Sequence, residues 1–153
     1  MQLVLASKSP RRSELLKNAG FDFVIRTADA DETITYGTNP KDAVVMLAAR
    51  KAMAVERNED EVVLGADTIV VLDDKILGKP KDKTDAVRML TMLQNNVHTV
   101  ITGVCIRDNV KCHSFSVTTD VFFNALSDSE IEYYIENYKP YDKAGAYGVQ
   151  EWI

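Results

Sequence analysis

Cysteine is scarce in this chain, and its scarcity is informative. Cys105 and Cys112 are the only two, and they show no metal-ligand spacing. That argues against a disulfide-dense scaffold or a zinc site and predicts two buried or half-buried thiols in a reducing cytosol. Long apolar runs are missing as well. No stretch approaches the roughly 20 residues that a membrane span needs, and no secretory signal is visible, so the cytoplasm is the expected location. Positive charge is in short supply: 18 Lys and Arg stand against 23 Asp and Glu, a net charge of −5. A net acidic chain is a poor candidate for polymeric nucleic acid. Any polyanion it handles is expected to be small and met by a local basic cluster. The P-loop pattern GxxxxGK[ST] is absent, which leaves a kinase unsupported. Internal repeats and low-complexity segments are absent too.

What remains is an ordinary globular composition, 46% hydrophobic and 27% charged over 153 residues. This suits a single domain, or one with a small lobe. Strand-like and helix-like segments alternate, which predicts an α/β fold with a mixed twisted sheet and flanking helices. Leu3 to Ala6 reads as a strand and Pro10 to Ala19 as a short amphipathic helix ended by Gly20. Phe21 to Ile25 is strand-like. Asn39-Pro40 opens a long helix to about Arg57. Val62 to Leu64 and Ile69 to Leu72 read as β segments flanking a turn at Gly65–Thr68. Asp73-Asp74 then turns the chain into Lys75–Leu77. A helix over Asp82–Gln94 precedes two long β segments, His98–Arg107 and Cys112–Phe123. Ser127-Asp128-Ser129-Glu130 is a capping box for a helix to Tyr138. The last stretch, Tyr141 to Gln150, reads as small and flexible. An apolar segment begins just as the chain stops at Trp152-Ile153, which predicts a longer parent chain.

Three clusters carry side chains suited to phosphate chemistry. Ser7, Ser9, Arg11 and Arg12 lie where a strand runs into a helix start. Helix N-termini attract anions through free N–H groups, and arginine adds a donor fork matched to phosphate oxygens. A solvated helix start with two surface arginines is the other reading of the same residues. Gly65-Ala66-Asp67-Thr68 places a carboxylate inside an apolar β segment, where it must be paired or hold a cation. Asp67 is there a general base, a metal ligand or a plain turn aspartate, and Gly65 would let the backbone approach a ligand. Gly78-Lys79-Pro80 nearby offers a fixed ammonium, or a solvated one. In Asp142–Gln150, Tyr147 suits a stacking role and Gln150 can read a base edge through its amide; a plain Gly-rich connection has the same composition. Glu32, in the acidic run Asp29–Glu32, could join Asp67 around one Mg²⁺. Lys51 lies mid-helix, where lysines usually face water. His98 and His113 have no partner at ligand spacing and receive no role.

Taken together, LASKSPRRSELL (Leu5–Leu16), GADTIVVLDDKILGKPKD (Gly65–Asp82), HTVITGV (His98–Val104) and DKAGAYGVQ (Asp142–Gln150) resemble the Maf family of nucleotide pyrophosphatases. The resemblance implies a fold related to the house-cleaning inosine triphosphatases, with two lobes around a central cleft. It implies cleavage of a nucleoside triphosphate between the α and β phosphates with a divalent cation, Mg²⁺ or Mn²⁺. Asp67 matches the catalytic acidic residue. Arg11, Thr68 and Gln150 match positions tied to substrate choice, and Ser7, Arg12, Glu32, Lys51 and Lys79 match other polar positions. SPRR, GADT and YGVQ resemble the branch that acts on dTTP and UTP. A homodimer is compatible with the resemblance. The alternatives are a nucleotide-binding regulator linked to septum formation, or a phosphotransferase with an acceptor site.

Overall fold

Helix starts in this chain are written in its capping residues, and the computed structural model, which describes residues 1–153, shows them in use. Asn39 caps α2 (Pro40–Ala54) by accepting from the Lys41 N–H at 2.9 Å. Asp82 caps α3 (Lys83–Leu93) by accepting from the Asp85 N–H at 2.8 Å. Ser127 and Glu130 form the expected capping box of α4 (Asp128–Tyr138), and the Ser127 N–H holds the Glu130 carboxyl below its ordinary value. Each bond satisfies a backbone donor that the helix itself leaves open.

Helix α1 (Pro10–Asn18) differs. Ser9 stands at its N-cap but makes no side-chain cap. Instead the Ser7 hydroxyl accepts from the Ser9 N–H at 3.2 Å and from Arg12 at 3.0 Å. The expected inward face of Leu15, Leu16 and Ala19 is not buried; Leu15 is 64% exposed. A nine-residue helix with no buried residue is held by its ends rather than by packing.

The strands are β1 (Gln2–Leu5), β2 (Phe23–Ile25), β3 (Glu61–Leu72), β4 (Lys75–Leu77), β5 (Val97–Arg107) and β6 (Cys112–Phe122). They form one sheet in the order β2-β1-β3-β5-β6, with β4 paired to β3. Strand β1 runs parallel to both neighbours, with Leu5 opposite Ile25 and Leu64. Strand β4 is antiparallel to β3, with Leu72 opposite Lys75. The connecting residues Asp73 and Asp74 have φ of 47° and 64°, the left-handed values that a two-residue hairpin turn demands. The mixed α/β expectation therefore holds.

The expected turn at Gly65–Thr68 does not exist, because β3 passes through it unbroken. Gly65 serves close packing. A Cβ there would lie 2.3 Å from the Ala48 carbonyl oxygen and 2.7 Å from the Ala52 nitrogen, both on α2. Gly103 on β5 plays the same part against Val44, at 2.4 Å. The helix backbone, not a ligand, occupies the space that the missing side chains leave.

The chain divides into two compact units. The first comprises Met1–Asp67 and Thr102–Val117. Its core gathers Val4, Ala6, Ala48, Ala52, Val55, Val63 and Cys105. Here the two cysteines, expected as separate buried or half-buried thiols in a reducing cytosol, are joined in a disulfide, with Cys105 buried and Cys112 exposed. The turn at Asp108–Lys111 folds the chain back, and the two Cα atoms stand 6.5 Å apart. The second unit comprises Thr68–Ile101 and Thr118–Ile153. Its core is larger: Leu90 and Leu93 of α3, Ile131, Tyr134 and Ile135 of α4, and Val70 and Leu72 of β3, together with Ala146 and Tyr147. Full burial of each large aliphatic stabilises by about 1.5–3 kcal/mol.

Candidate active site

Alternation along a strand puts residues i and i+2 on one face. Gly65 faces α2, so Asp67 does too. It meets Lys51, whose ammonium pairs with the Asp67 carboxylate. The same Nζ lies 2.9 Å from Glu32 Oε1. Lys51, a candidate phosphate ligand, is thus largely covered instead of facing water as mid-helix lysines usually do, and two carboxylates converge on one cation. Its two acidic partners come from a strand and a loop far apart in sequence.

The loop carrying Glu32 is pinned by a residue that sequence reasoning missed. Arg50 donates to the carbonyl oxygens of Asp31 at 3.1 Å and Thr33 at 2.8 Å. It also pairs with the Asp31 carboxylate at 3.2 Å. Glu32 sits between those two anchor points, so Arg50 and the adjacent Lys51 hold one loop from one turn of helix. The only hint in the sequence was an arginine beside a lysine candidate.

Arg12 completes the first unit's cluster. Burial pushes its guanidinium below its ordinary value, and Arg11 adds to that, while Asp67 and Glu32 oppose it. These couplings place Arg11, Glu32 and Asp67 within electrostatic reach of Arg12. Ser7, nearly buried, orients Arg12 through its hydroxyl. Six residues singled out from the sequence, Ser7, Arg11, Arg12, Glu32, Lys51 and Asp67, therefore belong to one unit and, apart from the positioning serine, share one field.

Thr68, Lys79 and Gln150 belong to the second unit. Thr68 follows Asp67 on β3 and is half-buried; Lys79 and Gln150 are exposed. Lys79 follows Gly78, whose carbonyl accepts from the Gly145 N–H at 3.0 Å. The segment expected to be flexible is packed instead. Ala144–Ala146 is a 3₁₀ turn, and Lys143 to Gly148 are buried apart from half-buried Ala144. Gly145 has φ of 69°, and a Cβ there would press on Val70 at 2.9 Å.

His98, given no role from the sequence, is buried and shares a 2.6 Å hydrogen bond with the Tyr147 hydroxyl. Phe123 packs edge-on against both rings. Burial lowers the His98 pKa and pushes the Tyr147 phenol up to about 12. Tyr147 is thereby spent on the core rather than left open for stacking. His113 is exposed on β6.

A family model for Maf-like proteins matches residues 2–153. This chain is a member of the Maf-like family. A dTTP/UTP pyrophosphatase of Bacteroides thetaiotaomicron is 45% identical over 99% of the chain and 80% of that protein. One from Bacillus pumilus is 47% identical over 97% of the chain and 79% of the Bacillus protein. Among solved structures, the Staphylococcus aureus Ham1 protein superposes with a TM-score of 0.57 at 14% identity, covering 84% of this chain and 73% of that one. That likeness speaks to fold alone, and it agrees with the Maf-like open sheet described above.

Proposed function

We propose that this Maf-like chain hydrolyses nucleoside triphosphates, dTTP and UTP foremost, to the monophosphate and pyrophosphate. The observation that carries the reading is the Glu32–Lys51–Asp67 constellation beside Arg12. Hydrolysis of the α–β linkage needs a water stripped of a proton and positive charge to offset what develops on departing pyrophosphate. Asp67 is the carboxylate best placed to take that proton. Arg11, Arg12 and Lys51 supply charge in the first unit, and Lys79 is the corresponding candidate in the second. The 45–47% identical relatives that carry the dTTP/UTP pyrophosphatase name support the substrate class.

The acidic pair also suits a hard divalent cation. Glu32 and Asp67 both reach Lys51 Nζ, and no third acidic, histidine or cysteine side chain joins them. Mg²⁺ is commonly held by one or two carboxylates, with waters and substrate phosphates completing the shell. Glu32 and Asp67 are the residues that would hold it, and Mn²⁺ would take the same donors. Such an ion, when bound, neutralises phosphate charge. Lys51 would then keep the two carboxylates together whenever no ion separates them.

Arg11, Thr68 and Gln150 are assigned to substrate choice on the strength of the resemblance. No helix of the chain is long and apolar enough to cross a membrane. A nucleotide pool is where such an enzyme meets its substrate, so the reading goes with a cytoplasmic location. A homodimer is the assembly we propose, to be checked by analytical ultracentrifugation.

The test is Asp67→Asn, assayed for pyrophosphate release from dTTP and UTP with Mg²⁺. Loss of a general base costs about 10²–10⁴-fold in turnover. Turnover within a few-fold of the parent would overturn the assignment. Arg11→Ala and Gln150→Ala, run over a nucleotide panel, should erode the pyrimidine preference; an intact preference in both would overturn the substrate reading.

A further inference from the structure

The last residues of the second unit contain a buried network for which catalysis as described has no use. Lys143 is only 7% exposed. Its ammonium lies 2.9 Å from Glu151 Oε1 and 3.6 Å from the exposed Asp142 carboxylate. The second Glu151 oxygen accepts from the Tyr134 hydroxyl. That hydroxyl, on a fully buried side chain of α4, in turn accepts from the Gly148 N–H at 3.0 Å. The Glu151 N–H closes back on the Gly148 carbonyl at 2.9 Å. Gly148 to Glu151 is therefore a four-residue turn tied down at both ends. Tyr134 holds its first residue, and Lys143 with Tyr134 holds its last.

A buried ammonium such as that of Lys143 is retained only where it is paired and hydrogen-bonded. Here the pairing fixes backbone. The turn's ends are covered, while its middle residues, Val149 and Gln150, face outward. A Cβ on Gly148 would stand 3.2 Å from both Glu151 Cδ and Oε2, so the Glu151 carboxylate would have to give by a few tenths of an ångström. These restraints fix the chain on either side of exposed Val149 and Gln150.

We propose that Lys143, Tyr134 and Glu151 are positioning residues that set how strictly Gln150 discriminates between nucleobases. This rests on the reading of Gln150 as a substrate-choosing residue. A glutamine amide carries both donors and an acceptor, so on a loose turn it can meet many base edges. Thymine and cytosine present opposite patterns at their pairing edge, a carbonyl in one and an amino group in the other. Discrimination between them needs the amide held in one place.

The experiment compares kcat and KM for dTTP and dCTP in four proteins: the parent, Tyr134→Phe, Gln150→Ala and the double variant. Glu151→Gln, which alters a partly exposed side chain and keeps its shape, is the second route in case Tyr134→Phe folds poorly. Exchange of the Gly148 amide with deuterium is followed in each. We expect Gly148 exchange to accelerate in Tyr134→Phe. The dTTP-to-dCTP ratio of kcat/KM should fall by about tenfold, carried by KM for dTTP, with its kcat within about twofold. Glu151→Gln should lose less of the ratio than Glu151→Ala. The double variant should be no less selective than Gln150→Ala alone, since both act on one group. An unchanged ratio in Tyr134→Phe and Glu151→Gln, with Gln150→Ala impaired, overturns the clamp and leaves the reading of Gln150 standing. Additive losses in the double variant also overturn it. An unchanged ratio in Gln150→Ala overturns both.

Discussion

Substituting Gly65 by alanine adds one methyl group at the tightest backbone approach in the first unit, and its consequence can be worked out from distances. The new Cβ would stand 2.3 Å from the Ala48 carbonyl oxygen, 2.7 Å from the Ala52 nitrogen and 2.9 Å from the Ala52 Cβ. None of these atoms is the far end of a flexible side chain. Ordinary contact begins near 3.4 Å, so α2 must retreat from β3 by about 1 Å, an overpacking that costs about 1–3 kcal/mol. For a chain of this size that lowers Tm by about 2–12 °C. Lys51 rides on the displaced helix, one residue before Ala52, while Asp67 stays on the strand. A displacement of about 1 Å at reacting groups can cost about 10²-fold in rate. Gly65→Ala should therefore lose both stability and turnover, although Gly65 touches no substrate in this account. The assays are thermal unfolding by circular dichroism and pyrophosphate release from dTTP at a temperature where the variant is folded. Gly78→Ala is the control: nothing beyond its chain neighbours lies within 4 Å of the methyl group it would gain, and its φ is not left-handed, so its stability should stay within about 0.5 kcal/mol of the parent. Parental Tm and parental turnover in Gly65→Ala would refute the claim that helix–strand spacing sets the Lys51–Asp67 contact.

Two further predictions concern pH. Arg26 grips the Glu61 carboxylate through both oxygens, at 2.7 and 2.8 Å, and holds its pKa down to about 2 from 4.5. That stabilisation is present above pH 4.5 and is lost as pH falls toward 2. In urea titrations Glu61→Gln should start less stable at neutral pH and lose less than the parent across that window; an equally steep loss would refute it. His98 is held neutral by burial, below its ordinary 6.5, so the unfolded chain takes up the proton that the folded chain refuses. Stability should then fall as pH drops through about 6.5, and His98→Phe should flatten that part of the profile, whereas a parallel profile would count against the burial argument.

Local signals were legible in the sequence and distant ones were not. The Asn39 cap and the Ser127 capping box marked two helix starts because capping is decided within three or four residues. Asp73-Asp74 announced its hairpin for the same reason. Asp67 and Lys51 were singled out by residue type, yet their contact depends on α2 lying against β3, which no local pattern states. Gly65 misled for that reason: a glycine beside an aspartate looks like a turn, and only the approach of Ala48 and Ala52 shows it to be packing. Tyr141–Gln150 looked flexible by composition. Its order comes from Tyr134, Val70 and Gly78, which lie well upstream. Leu15 and Leu16 suggested a buried face that α1 does not have, because periodicity says which side of a helix is apolar and not whether anything covers it. The two cysteines met because a turn between them reversed the chain.

The single tryptophan has a practical consequence. Trp152 lies in the second unit, half exposed and edge-on to Tyr133 with ring centroids 5.4 Å apart. Its fluorescence is a local reporter, whereas far-ultraviolet ellipticity sums the backbone of the whole chain. Coincident melting curves from the two signals would mark a single cooperative transition. A fluorescence change that precedes or trails the ellipticity would show the second unit letting go on its own schedule, a dissection that needs no label and no mutation.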